Sequence, residues 1–239
     1  MKSEKRVIVA LDVESVDEAR AIIRELREDA GAFKIGLQLF TAAGPDFVRE
    51  VAGEHRVFLD LKFHDIPNTV AKAGVEATRL GVWMFNVHAS GGSEMMRETV
   101  RAVRSVCERE DLERPLIIGV TVLTSSDTNT LRETGIERAA DAQVLHLARL
   151  AAECGLDGVV SSPMEISAVR SEVGDPGFLI VTPGVRPEFA TNDDQKRVMT
   201  PRQAVTEGSD YIVMGRPILQ AENRVAALRR ICENIDTLD

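Results

Sequence analysis

Val57-Phe58-Leu59-Asp60-Leu61-Lys62-Phe63-His64-Asp65-Ile66-Pro67-Asn68-Thr69 passes from an apolar strand into charge and then into the start of a helix. Val57 to Leu59 are apolar, and Pro67 suits a first helical turn, where its missing N–H would have no partner anyway. Strand side chains alternate faces, so Asp60 and Lys62 are expected on one side, about 6–7 Å apart at roughly 3.3 Å per residue. Opposite charges on one face of a core strand are costly unless a ligand or further charges complete the set. A structural ion pair at a strand end is the plainer alternative. Asp65, a third charge in the same strand-to-loop turn, favours an active site.

The same progression recurs on both sides of this stretch. Further strands are expected at Arg6-Val13, Ala32-Gly36, Trp83-Ala89, Pro115-Leu123, Gly158-Ser162, Phe178-Thr182 and Tyr211-Met214, with the strand above spanning Arg56-Phe63. Helical patterns fall between them. The first is capped by Ser15, with Glu18 in capping-box position, and runs to about Asp29. The others are Pro45-Gly53, Pro67-Leu80, Gly92-Arg109, Glu137-Cys154, Met164-Val173, Pro201-Glu207 and Ala221-Ile235. Continuous apolar runs suit parallel strands covered on both faces. Eight strands, each followed by a helical segment, predict an α/β fold, a single (β/α)8 TIM barrel over residues 1–239. The length agrees, since such barrels take about 250 residues. An open doubly wound sheet would want fewer strands and a glycine-rich first turn, yet Leu11-Asp12-Val13-Glu14-Ser15 has no glycine.

A formal charge of -9 and 4% aromatic residues argue against a nucleic-acid surface, which needs Lys and Arg for phosphates and rings for bases. A small anion held by a few local cations remains compatible. Cys107, Cys154 and Cys232 are odd in number and widely spaced, as expected of buried thiols in a reducing compartment. No apolar run reaches about 18 residues and no signal-like segment opens the chain, so the expectation is a cytoplasmic protein without membrane contact.

Barrel sites form at the carboxyl ends of the strands. Those ends carry Asp12, Lys34, Asp60 with Lys62 and Asp65, His88, Thr124, Ser161 with Ser162, Arg186 and Arg216. Two turns point to a phosphate: Thr182-Pro183-Gly184-Val185-Arg186 and Met214-Gly215-Arg216-Pro217 each pair a glycine with an arginine fork. The polar loop Pro187-Arg197 is the natural lid. His64 is expected to pack behind the site and His88 to support it from behind, while His55 and His146 read as structural. No His or Cys spacing suggests a transition metal.

At these positions the chain resembles the orotidine 5'-monophosphate decarboxylase family, in its bacterial form. The matching residues are Ala10-Leu11-Asp12, Phe33-Lys34-Ile35-Gly36, the run Asp60 to Thr69, Val122-Leu123-Thr124-Ser125, Pro183-Gly184-Val185-Arg186, Asp194-Gln195-Lys196-Arg197 and Met214-Gly215-Arg216-Pro217-Ile218. The resemblance implies decarboxylation of orotidine 5'-monophosphate to uridine 5'-monophosphate, the last step of de novo UMP synthesis, with no metal or organic cofactor. It implies a homodimer in which Asp65, Ile66 and Thr69 enter the neighbouring site, facing Lys34, Asp60 and Lys62. Asp12 and Lys34 would hold the ribose, Thr124 the pyrimidine edge, and Arg186, Gln195, Gly215 and Arg216 the phosphate. Lys62 would stabilise the C6 carbanion and donate its proton, flanked by Asp60 and Asp65. The rivals are a Mg2+-dependent sugar-phosphate enzyme of the same barrel group and a nucleotide-binding barrel without activity.

Overall fold

The computed structural model describes residues 3–190 and 199–236. Eight parallel strands, each hydrogen-bonded to the next, close into a barrel when the last pairs with the first. They are β1 (Val7–Ala10), β2 (Ala32–Gly36), β3 (Val57–Phe63), β4 (Met84–His88), β5 (Leu116–Val120), β6 (Gly158–Val160), β7 (Leu179–Pro183) and β8 (Tyr211–Met214). Around them lie α1 (Val16–Leu26), α2 (Leu37–Ala52), α3 (Pro67–Arg79), α4 (Gly92–Glu110), α5 (Thr128–Glu133), α6 (Ala140–Glu153), α7 (Ile166–Val173), α8 (Pro201–Thr206), α9 (Arg216–Leu219) and α10 (Arg224–Asp236).

Alternation along the strands divides the core in two. Val7, Val9, Phe33, Ile35, Leu59, Phe85 and Ile117 point outward, beneath the helices. Ile8, Ala10, Ala32, Phe58, Met84, Ile118, Val181, Tyr211 and Val213 form a separate apolar cluster that fills the barrel. Two residues further along their strands, on the same inward face, stand Lys34 beyond Ala32, Asp60 beyond Phe58 and Asn86 beyond Met84. A polar layer thus rests on an apolar plug at the carboxyl end of the barrel.

The opposite rim is closed by ion pairs that also cap strands. Asp157 accepts from Nη1 and Nη2 of Arg114, at 2.9 and 3.0 Å, and from Ile117 N at 2.8 Å. Asp210 does the same for β7, pairing with Arg170 and accepting from Ile180 N at 2.8 Å. Each acid lies just before one strand and ties the first turns of the barrel to its neighbour.

Three local features depart from the expected elements. α2 starts at Leu37, directly after β2, and bends at Gly44 (φ 73°), so the expected helix from Pro45 is only its second half. The Gly44-Pro45 pair marks the kink and not the start. α5 was not expected; it is a short six-residue helix capped by Asp127, which accepts from Thr130 N. At α1, Ser15 Oγ accepts from Glu18 N at 3.2 Å, but Glu18 does not close the expected capping box; complete boxes form at Ser162/Glu165 and Thr200/Gln203. Among the described residues, no helix is long and apolar enough to cross a membrane.

Candidate active site

β2 delivers Lys34 into the polar layer, where it is only 8% exposed. Its Nζ lies 3.0 Å from Asp12 Oδ1, just past β1, and 3.4 Å from Asp60 Oδ2 on β3. Asp60 Oδ1 in turn receives Lys62 Nζ at 2.6 Å. Four side chains therefore alternate in sign along one wall: Asp12, Lys34, Asp60, Lys62. Gly36 leaves room for this, because a methyl there would sit 3.0 Å from Lys34 Nζ. Burial drives the Asp60 carboxyl towards its neutral form, but the charges of Lys34 and Lys62, with hydrogen bonds from Lys62 and Asn86, prevail and hold it below the usual aspartate range.

Asp60 and Lys62 do meet on one side, though plain alternation is not the reason. The β3–β4 register slips between Leu59 and Phe63, and Lys62 has a left-handed backbone, φ 53°. That conformation costs a non-glycine residue roughly 1–2 kcal/mol. The Lys62 N–H donates to Asn86 Oδ1 at 2.8 Å, and Asn86 Nδ2 donates to Asp60 Oδ1, also at 2.8 Å. Asn86 was not among the residues expected from sequence. The available signal was a lone amide inside Met84-Phe85-Asn86-Val87-His88, on the same face as His88.

These side chains line a cleft of about 190 Å3 whose floor is Phe58, Val181 and Val213 and whose far wall includes Thr124. A larger hollow of about 430 Å3 opens near Arg56, Trp83 and Arg114, at the strand-amino rim. Volume alone does not mark the site; the alternating charges identify the smaller cleft.

Arg186 lies close enough to Arg216 to feel its charge: burial and then the Arg216 charge hold the Arg186 guanidinium below its ordinary value. Among the described residues no carboxylate pairs with either. Gly184 takes φ 81°, a turn that glycine makes without strain, and a methyl on Gly215 would come 3.4 Å from Asp12 Oδ2. Arg186 N donates to Met199 O at 3.1 Å, joining the two ends of the intervening loop. Gln195, and with it most of the expected lid, lies outside the described residues. The helix expected after Gly215 is the four-residue α9, and Pro217 removes one of its free N–H donors.

Asp65, Ile66 and Thr69 do not join the array within one chain. Asp65 Oδ1 accepts from Ile66 N at 2.6 Å, and no ion pair links it to Lys62 of the same chain. All three side chains are exposed at the start of α3, Ile66 by 66%. His64 is exposed, and its ring meets that of the half-buried His88 at a tilt of 43°, centroids 5.4 Å apart. Burial, then the charges of His64 and Lys62, keep His88 below the usual histidine range against the pull of Asp60. His55 packs edge-on against Phe33, and Ser161 and Ser162 are taken up by Glu165 at a helix start. The three cysteines are buried and unpaired, and burial pushes the Cys232 thiol up to about 12. Among the described residues, no three His, Cys, Asp or Glu side chains gather as a metal set.

A sequence profile of the orotidine 5'-phosphate decarboxylase / HUMPS family matches residues 5–231. An orotidine 5'-phosphate decarboxylase of Syntrophotalea carbinolica is 53% identical over 238 residues, 98% of this chain and 96% of that relative. One from Moorella thermoacetica is 52% identical over 99% of this chain and 94% of its own length. The crystal structure of orotidine 5'-phosphate decarboxylase from Lactobacillus acidophilus superposes with a TM-score of 0.85 at 36% identity, covering 96% of this chain and 98% of that one.

Proposed function

The chain belongs to the orotidine 5'-phosphate decarboxylase / HUMPS family, and on that premise we propose that it converts orotidine 5'-monophosphate to uridine 5'-monophosphate and CO2, the final step of UMP biosynthesis. The observation that carries the reading is the alternating Asp12-Lys34-Asp60-Lys62 wall beside an apolar-floored cleft.

Breaking the C6–carboxylate bond leaves its electron pair on C6, where the pyrimidine ring offers no good acceptor orbital. Fixed charge must then do the stabilising. Lys62 Nζ is the ammonium placed for it: it lowers the energy of the developing carbanion and then passes one proton to C6, ending as an amine that solvent reprotonates. Asp60 holds that ammonium in place and, lying near the departing carboxylate, opposes the bound ground state by like charge. Lys34 and Asp12 take the ribose hydroxyls, and Thr124 reads the pyrimidine edge. Arg186, Gly215 and Arg216, with Gln195, hold the phosphate; two neighbouring guanidiniums that have no acidic partner among the described residues support this. Phosphate binding remote from C6 supplies energy for closing the site over the substrate.

The reading includes a homodimer, with Asp65, Ile66 and Thr69 completing the neighbour's site. It is supported by their exposure and by the lack of contact between Asp65 and its own Lys62. One decarboxylase unit over residues 1–239, in the cytoplasm, without cofactor, completes the proposal. An absorbance assay with orotidine 5'-monophosphate, run with and without EDTA, tests it. Turnover unaffected by EDTA is expected. Activity that EDTA abolishes would favour the Mg2+-dependent sugar-phosphate class, and no turnover at all would favour an inactive nucleotide binder.

A further inference from the structure

Asn86 occupies a position in the polar layer with no charge of its own and two bonds to charged machinery. It is 1% exposed, on the inward face of β4, one step above Met84 of the apolar plug. The orientation of its amide is forced by its partners. A backbone N–H can only donate, so Oδ1 must face Lys62 N; a carboxylate can only accept, so Nδ2 must face Asp60.

Both partners need that help. Lys62 is one of two non-glycine residues with positive φ among the described residues, and the other, Asp111, ends a surface helix. A left-handed lysine within a strand persists only where surrounding bonds over-determine it. The slip in β3–β4 pairing withdraws ordinary ladder partners at this point, and the Asn86 side chain supplies one in their place. The second bond fixes Asp60: its Oδ1 is shared between Asn86 Nδ2 and Lys62 Nζ, which pins the carboxylate rotation that sets where Nζ rests.

We infer that Asn86 is a positioning residue for the reaction, holding the Lys62 backbone in its left-handed form and the Asp60 carboxylate at the angle that aims the Lys62 ammonium into the cleft. The inference rests on the function proposed above. It concerns transition-state geometry and not substrate capture, so its loss should appear in kcat far more than in KM.

Two variants test it, after wild-type turnover of orotidine 5'-monophosphate has been measured; absence of that turnover would overturn the proposed function and leave the geometric readout below to judge Asn86. For Asn86→Ala, kcat should fall on the order of 100-fold with KM changed by less than about 3-fold, as expected when a charge-assisted buried bond is lost. In its crystal structure Lys62 should leave positive φ or Nζ should move away from Asp60. Asn86→Asp keeps an acceptor for Lys62 N–H but loses the donor to Asp60 until the two carboxylates share a proton. Its kcat relative to wild type should therefore rise as pH falls. An unchanged kcat, or a loss confined to KM, overturns the inference, as does an Asn86→Ala structure with Lys62 and Asp60 unmoved. A parallel pH profile for Asn86→Asp overturns it as well. Should Asn86→Ala not fold, the Asn86→Asp profile decides alone.

Discussion

Lys62 Nζ rests 2.6 Å from Asp60 Oδ1, while the other oxygen of the same carboxylate faces Lys34 at 3.4 Å. One acid thus organises two cations, and the rest of the site is arranged around it. If Lys62 is the proton donor, Lys62→Ala should reduce turnover by about 10⁴-fold or more, since both the acid and the charge opposite C6 are gone. Uridine 5'-monophosphate should still bind and the melting temperature should change little, because Asp60 keeps Lys34. Calorimetry and a turnover assay check this; near-normal turnover would remove Lys62 from the chemistry.

Asp60 makes a pH-dependent contribution whose sign follows from its depressed carboxyl. Its stabilisation is complete above the ordinary value of 3.8 and fades as pH falls through the lower folded value. Asp60→Asn should destabilise the protein at pH 7 by roughly 3 kcal/mol, leaving two neighbouring cations short of a counter-charge. Melting curves should show the gap between wild type and variant narrowing below that pH. A gap of constant size would mean that the carboxylate is not held as described.

Arg216→Ala should act on substrate capture. Loss of one guanidinium from an anion site is worth about 1.5–3 kcal/mol, so KM should rise on the order of 10- to 100-fold. Steady-state kinetics decide the matter, and an unaltered KM would move the phosphate elsewhere.

The proposed sharing of the site between subunits has its own test. Lys62→Ala and Asp65→Ala proteins, each inactive alone, should regain about a quarter of wild-type activity when their subunits are exchanged. Half of the dimers are then mixed, and each mixed dimer holds one intact site. No recovery after proven exchange would place Asp65 in its own chain's site.

The barrel was legible because its strands open as apolar runs and meet charge towards their carboxyl ends, as at Val57-Phe58-Leu59 before Asp60 and Ile8-Val9-Ala10 before Asp12. The positions of Lys34, Asp60, Lys62 and Thr124 around one cleft follow from the same feature. Other parts were hidden for physical reasons. Gly44 and Pro45 read as a helix boundary because a kink and a start carry the same residues. The left-handed Lys62 leaves no trace in composition, since the bond that sustains it comes from Asn86, 24 positions away. Asp65 could be recognised as chemical but not placed in the wall, because no ion pair joins it to Lys62 within one chain.

The Asp157–Arg114 and Asp210–Arg170 clasps lie on the rim opposite the cleft. A mutation that refashions the mouth of the barrel leaves these fastenings intact, and so the scaffold survives experiments in its own chemistry. Lineages built on such a plan can trade one substrate for another without first rebuilding the vessel that holds it.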